Sequence, residues 1–142
     1  MGNEKRENLI IKLAMNFDND LESKNLEKLP AYFSDDCQIE LLGRTLKGRE
    51  GIGEWLAWLF DNYDELRFVI INVIVKGNIL FEEYAFSAVT SDGTKIQSRQ
   101  AEVIEFDQCN KIRNLRLYFD RIDFAGNLLQ HSVSKQEAAT IK

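Results

Sequence analysis

Apolar residues recur at two different spacings along this chain, and the change of spacing divides it. In the first part Leu9, Ile10, Leu13, Ala14, Phe17 and Leu21 fall at helical intervals and predict a helix of about five turns. Asn25 can cap a short second helix through Leu26, Leu29 and Tyr32-Phe33, with Pro30 tolerated near its start or at a kink. Asp35-Asp36 ends this helical part, Gln38 to Leu42 predicts a short strand, and Gly43 to Lys47 a tight return. Gly48 opens a third helix with Ile52, Trp55, Leu56, Leu59 and Phe60 on one side. From Leu66 to Phe124 the pattern is strand, broken only at Gly77-Asn78, Ser91-Asp92-Gly93 and Gln108-Cys109-Asn110. Turns this short cannot return a chain parallel to itself, so these strands form an antiparallel meander. The amphipathic helical part must then close over one face of that sheet. The expected class is α+β, three N-terminal helices on a strongly curved antiparallel sheet, with a pocket between the layers.

Composition sets the outer limits. A length of 142 residues suits one domain, 1–142, with a core at about 9–124 and a polar tail at 125–142. Hydrophobic content of 44% places the chain among globular proteins rather than disordered ones. A net charge of −5 without a dense Lys/Arg cluster argues against nucleic acid or an anionic membrane as partner. The most apolar run, Phe68 to Val75, is too short to span a bilayer. Cys37 and Cys109 lie far apart without metal-ligand spacing, and the charged N-terminus lacks a signal-peptide core, so the expected compartment is the cytoplasm.

Three stretches carry a family resemblance: Ala31-Tyr32-Phe33-Ser34-Asp35-Asp36-Cys37-Gln38-Ile39-Glu40, Lys47-Gly48-Arg49-Glu50-Gly51-Ile52, and Asn110-Lys111-Ile112 leading to Leu117-Tyr118-Phe119-Asp120. In this order and spacing the chain resembles the SnoaL-like, ketosteroid-isomerase-like family of the nuclear transport factor 2-like superfamily, from about Leu9 to Phe124. The resemblance implies a cone-shaped domain, an apolar pocket between helices and concave sheet, a small hydrophobic molecule as ligand, and a homodimer through the convex sheet face. It does not choose among isomerase, cyclase, dehydratase, epoxide hydrolase and non-catalytic members. Where ketosteroid isomerases use a tyrosine and a proton-shuttling aspartate, this chain has Phe17 and Leu41; the protonated aspartate survives in kind as Glu102. The aspartate that cyclases and epoxide hydrolases carry after the last turn corresponds to Leu117, and the epoxide hydrolases' Arg and Asp fall on Glu83 and Ala85.

Strand arithmetic proposes a site. A two-residue type I′ loop at Asp92-Gly93 would set Ser91 opposite Thr94, Ser87 opposite Ser98, Ala85 opposite Gln100 and Glu83 opposite Glu102. By the family comparison that face is the pocket side. Two carboxylates side by side in a half-dry site cannot both ionise comfortably, so Glu102 and Glu83 form an expected acid/base pair. The alternative is that each is wetted at the rim or paired with Arg99, Arg113, Arg116 or Lys95. An even-length loop at Gln108 to Asn110 puts Leu115, Leu117 and Phe119 on the pocket face; an odd one brings in Arg116, Tyr118 and Asp120. The family pattern favours Leu117 and Phe119 inside, with Arg116 and Tyr118 outside beside Tyr84, Phe86 and Arg99. Asp18, Asp20 and Glu22 read as a solvated helix end, and the single histidine, His131, can build neither a His triad nor a multi-histidine metal site.

Two functions follow. In one the protein is an enzyme acting by proton transfer on a hydrophobic carbonyl-bearing or polyketide-like molecule. Glu102 and Glu83 would be catalytic, Phe17, Leu41, Trp55, Leu59, Leu117 and Phe119 the apolar walls, and Gln100 the residue orienting the ligand. Such a site needs neither metal nor organic cofactor, because burial and carboxylate coupling supply the pKa shift. In the other the domain binds a ligand without turnover or serves as a dimeric scaffold. The apolar residues at Phe17, Leu41 and Leu117 favour that second reading, and Glu102 favours the first.

Overall fold

The long apolar stripe of the N-terminus forms helix α1, Gly2–Glu22, and the glycine-initiated stripe forms α2, Gly48–Asn62, in a computed structural model that describes residues 2–119. Asp120, His131 and the expected tail lie outside the described residues. The expected middle helix is corrected. Leu29–Tyr32 makes a single 3-10 turn with Pro30 in its first turn, and Leu26 stays exposed. Pro30 lacks the N–H that a continuing helix would need, and the segment offers too few apolar residues to hold one in place.

Six strands follow the order β2-β1-β6-β5-β4-β3 in one sheet. They are β1 (Phe33–Leu41), β2 (Arg44–Lys47), β3 (Tyr63–Lys76), β4 (Ile79–Thr90), β5 (Lys95–Phe106) and β6 (Ile112–Phe119). The last four form the expected antiparallel meander, and β1 returns to lie parallel to β6. β1 begins earlier than its apolar residues suggested, at Phe33, and the return to β2 is made at Leu42 (φ 51°) and Gly43 (φ 75°), the paired positive φ values of a type I′ turn.

Helix α1 lies along β3, and α2 covers β1 and β2. Ile10, Ala14, Phe17 and Leu21 from α1 and Ile52, Trp55, Leu56 and Leu59 from α2 meet the inward residues of the sheet in one buried core. Gly51 lets α2 sit close to β2, because a Cβ there would come within 2.7 Å of the Leu46 backbone. The start of α1 is fixed to two hairpin turns by one side chain. Arg6 Nε and Nη1 donate to Asn78 Oδ1 and Asn110 Oδ1, both at 2.6 Å, and Nη2 donates to the Asp107 carbonyl at 2.7 Å. Near its other end Glu22 Oε2 accepts from the Phe68 N–H at 2.7 Å. The helix is therefore held in rotation and in height above the sheet, which fixes where residue 18 points. No described helix is long and apolar enough to cross a membrane.

Candidate functional site

The β4–β5 turn decides which carboxylates meet. Thr90 N donates to the Thr94 carbonyl at 2.9 Å and Gly93 N to the Thr90 carbonyl at 3.0 Å, so the loop is Ser91-Asp92-Gly93. Gly93 takes φ 86° and Asp92 Oδ1 accepts from Thr94 Oγ1 at 2.6 Å, which gives a three-residue hairpin loop with glycine in the left-handed position. One loop residue more than expected moves the register by one, and every side chain of β4 changes face. Glu82 now pairs with Glu102, Tyr84 with Gln100 and Phe86 with Ser98.

Several expectations are corrected as a result. Glu83 points to the outer face, where its Oε1 accepts from Asn72 Nδ2 at 2.7 Å in an exposed contact, and Ala85 and Ser87 share that face. The two epoxide-hydrolase positions assigned to Glu83 and Ala85 therefore lie away from the pocket. Tyr84 and Phe86, expected outside, are buried. Arg99, Arg116 and Tyr118 do face outward: Ala85 pairs with Arg99, Val103 with Arg116 and Ala101 with Tyr118.

At β5–β6 two irregularities cancel. The loop between Phe106 and Ile112 leaves an odd number of residues, 107–111, which by itself would turn Arg116 inward. A bulge at Arg113, between the pairs Phe106–Ile112 and Glu105–Asn114, takes back one residue. Leu117 then pairs with Glu102 and Phe119 with Gln100, on the inner face. Arg116 instead closes an ion pair with Glu105 at 2.8 Å.

Beneath the helices lies a hollow of about 40 Å³, lined by Asp18, Glu102, Gln100, Leu41, Trp55, Trp58, Leu59 and a run of further aromatic side chains that includes Tyr84, Phe86 and Phe119. Leu117 lies in the wall as well. Phe17 does not; its ring is packed into the core, 5.3 Å from Tyr32 and 5.6 Å from Phe33 edge-on, with Trp55 stacked at 6.3 Å. The space admits a few water-sized groups, so a larger ligand has to displace a wall residue. Among the described residues no Lys, Arg or His lines it.

At the floor, Asp18, Glu82 and Glu102 bring one carboxylate oxygen each within 4.8 Å of one another, and all three residues are buried. Asp18 corrects the reading of a solvated helix end, being only 8% exposed. It lies four residues beyond Ala14 and three before Leu21, on the buried stripe itself, and that position was the signal in the sequence. Glu82 alternates with Leu80, Tyr84, Phe86 and Ala88, which make the more apolar face of β4. Among the described residues no hydrogen-bond donor reaches Asp18 Oδ2 or Glu82 Oε1. What these groups have instead is each other: their carboxyl oxygens lie within 4.8 Å, and any hydrogen bond between two of them requires a proton on one.

The energetics agree. Burial, then the charge of Glu82 and its hydrogen bond, pushes Asp18 up to about 9. Burial, followed by the charges of Asp18 and Glu82, holds Glu102 well above the ordinary carboxylate range. Glu82 is raised by burial too, but the hydrogen bonds from Glu102 and Asp18 favour its ionised form and pull it back. Of the three, Glu82 is the one that ionises most readily, flanked by two neighbours that face the hollow and hold their protons more firmly. Tyr84, raised far above its usual value by burial and then by the three carboxyls, stays a phenol and donates to Gln100 Oε1 at 3.0 Å. Three oxygens at this spacing are also a geometry able to ligate a divalent cation.

A curved sheet lidded by helices, with an apolar hollow and a few polar groups at its floor, defines a small-molecule pocket protein. The chain belongs to the SnoaL-like domain family, whose model matches residues 16–115. Similar solved structures include an LEH-like epoxide hydrolase of M.tuberculosis (21% identity, 91% of this chain and 96% of that one, TM-score 0.78). Another is a protein of Shewanella denitrificans described as a SnoaL-like polyketide cyclase (14% identity, 86% and 98%, TM-score 0.78). A third is a ketosteroid-isomerase-like protein of Catenulispora acidiphila in complex with trimethylamine (16% identity, 81% and 90%, TM-score 0.72). At these identities the likeness is one of fold. No curated protein matches the sequence.

Proposed function

We propose that the chain is an acid/base catalyst that moves protons on a hydrophobic, carbonyl-bearing ligand, an isomerase- or cyclase-type activity. The observation that supports this reading is the buried Asp18–Glu82–Glu102 cluster at the floor of an apolar hollow. A catalyst for proton transfer near neutral pH needs an acid that keeps its proton and a base close to it. Glu102 faces the hollow as an acid and gives its proton to the ligand oxygen. Glu82 takes the proton of Asp18, and Asp18, now ionised and facing the hollow, removes a proton from the carbon beside the carbonyl. The C–H electron pair becomes the enol double bond. Where the ligand has a β,γ double bond, returning the proton to the γ-carbon and recovering the one on oxygen shifts that double bond into conjugation and completes an isomerisation, and the cluster ends with the two protons it began with. Neither redox nor Lewis-acid help is needed for that sequence.

Deuterium exchange tests it. In D2O the protein should replace the α-hydrogens of cyclohexanone or 2-tetralone, read by loss of their NMR signals, and Glu102→Gln should slow this by about 100-fold or more. Exchange of both ketones at the buffer rate, or an unchanged rate in the variant, overturns the proposal.

The second reading, a binding or dimeric scaffold domain, draws on the small hollow and on the outer face. Val69, Ile74, Phe81 and Tyr118 are exposed there, and Ile74 pairs with Phe81 across β3 and β4. A homodimer through this convex face would cover them, and sedimentation of Phe81→Glu against the natural chain would detect it. The two thiols are free, Cys37 buried and Cys109 exposed, which suits the cytoplasmic setting proposed for either reading.

A further inference from the structure

Trp55 is 4% exposed, and its indole N–H meets no acceptor among the described residues. A buried donor left unpaired costs about 1–3 kcal/mol, and buried tryptophans ordinarily find a partner. This ring is held by Phe17 and Phe33 at 6.3 Å each, and it lines the hollow. Gln100 lines the same hollow, and because its Oε1 is engaged by the Tyr84 hydroxyl, its amide N–H groups are the end left for a ligand.

We propose that the Trp55 indole N–H, together with the Gln100 amide, receives the oxygen of a neutral carbonyl ligand and selects that ligand over a hydrocarbon or a carboxylate. The inference rests on the carbonyl reading above and adds the residues that recognise the oxygen. Indole and amide are donors that bear no positive charge, so they suit a neutral oxygen, and it becomes a stronger acceptor as it gains enolate character. A carboxylate ligand would lie beside three buried carboxyls with no basic side chain in the wall to offset it.

The test uses the full chain labelled with 15N at its indoles, with the Trp55 signal assigned as the one retained in Trp58→Phe. Cyclohexanone should move the Trp55 indole proton downfield. Methylenecyclohexane, of the same shape without the oxygen, should leave it in place, and cyclohexanecarboxylate should not bind. Trp55→Phe should weaken cyclohexanone about 3–10-fold, the worth of one hydrogen bond, and leave methylenecyclohexane within about twofold. Equal movement with ketone and hydrocarbon, or equal loss of both in the variant, overturns the proposal, and the wild-type titration decides it even if Trp55→Phe fails to fold. A ketone-specific shift without α-hydrogen exchange would sink the proton-transfer reading alone; exchange with a silent Trp55 signal would sink this inference alone.

Discussion

Glu82 and Glu83 are neighbours on one strand and live in different solvents. Glu82, 4% exposed, lies against two other buried carboxyls with no ion pair to it among the described residues, whereas Glu83 takes an N–H from Asn72 on the open outer face. Chemistry and local sequence are the same; only the parity of a hairpin loop separates them. The inner group contributes a charge set between two proton-bearing carboxyls, and the outer one contributes solubility. A polar side chain in this fold therefore becomes functional through register before it does so through type.

The sharpest way to break that contrast is to change the parity. Deleting Ser91 leaves Asp92-Gly93 as a two-residue loop, which would drive Glu82 outward and strip Tyr84 and Phe86 from the core. We expect a loss of more than about 4 kcal/mol and no cooperative transition in near-ultraviolet circular dichroism. Asp18→Asn comes next: it removes one member of the inner cluster while keeping its shape. At pH 8 the variant should be more stable than the natural chain by as much as about 5 kcal/mol, measured by urea denaturation, because the buried aspartate there must hold a proton that solvent would take. Arg6→Ala, which loosens the start of α1 from both hairpin turns, should cost about 1–2 kcal/mol. Glu83→Ala should stay within about 0.5 kcal/mol at any pH, since it gives up one exposed contact.

The helices, the meander and most of the wall could be read from the chain because each rests on a repeated pattern. The stripe of α1 and the glycine start of α2 survive an error of one residue. Leu41, Trp55, Leu59, Gln100, Glu102, Leu117 and Phe119 all line the hollow. The acidic partners were harder. Glu82 and Glu83 exchange places on a single loop residue, and the three turn-forming residues Ser91-Asp92-Gly93, with glycine last, were the signal for the longer loop. Asp18 was masked by its type, since an aspartate near a helix end is usually solvated, although its spacing from Ala14 and Leu21 placed it inward. The inward Leu117 depended on a bulge at Arg113 that no local pattern announces.

The central claim is that the inner carboxyls hold protons in the folded chain that they lose on unfolding. With Asp18 raised from 3.8 to about 9, the native state binds more protons than the unfolded state between those values. The stability this adds is complete below the lower value and is lost as pH rises through the upper one. Urea denaturation from pH 5 to pH 9 should show stability falling by about 1.4 kcal/mol per pH unit for each proton held. The slope should be largely removed in the double variant Asp18→Asn/Glu102→Gln and kept in Glu83→Gln. A natural chain whose stability is level or rises across that range, or a Glu83→Gln profile that flattens like the double variant, would contradict the account.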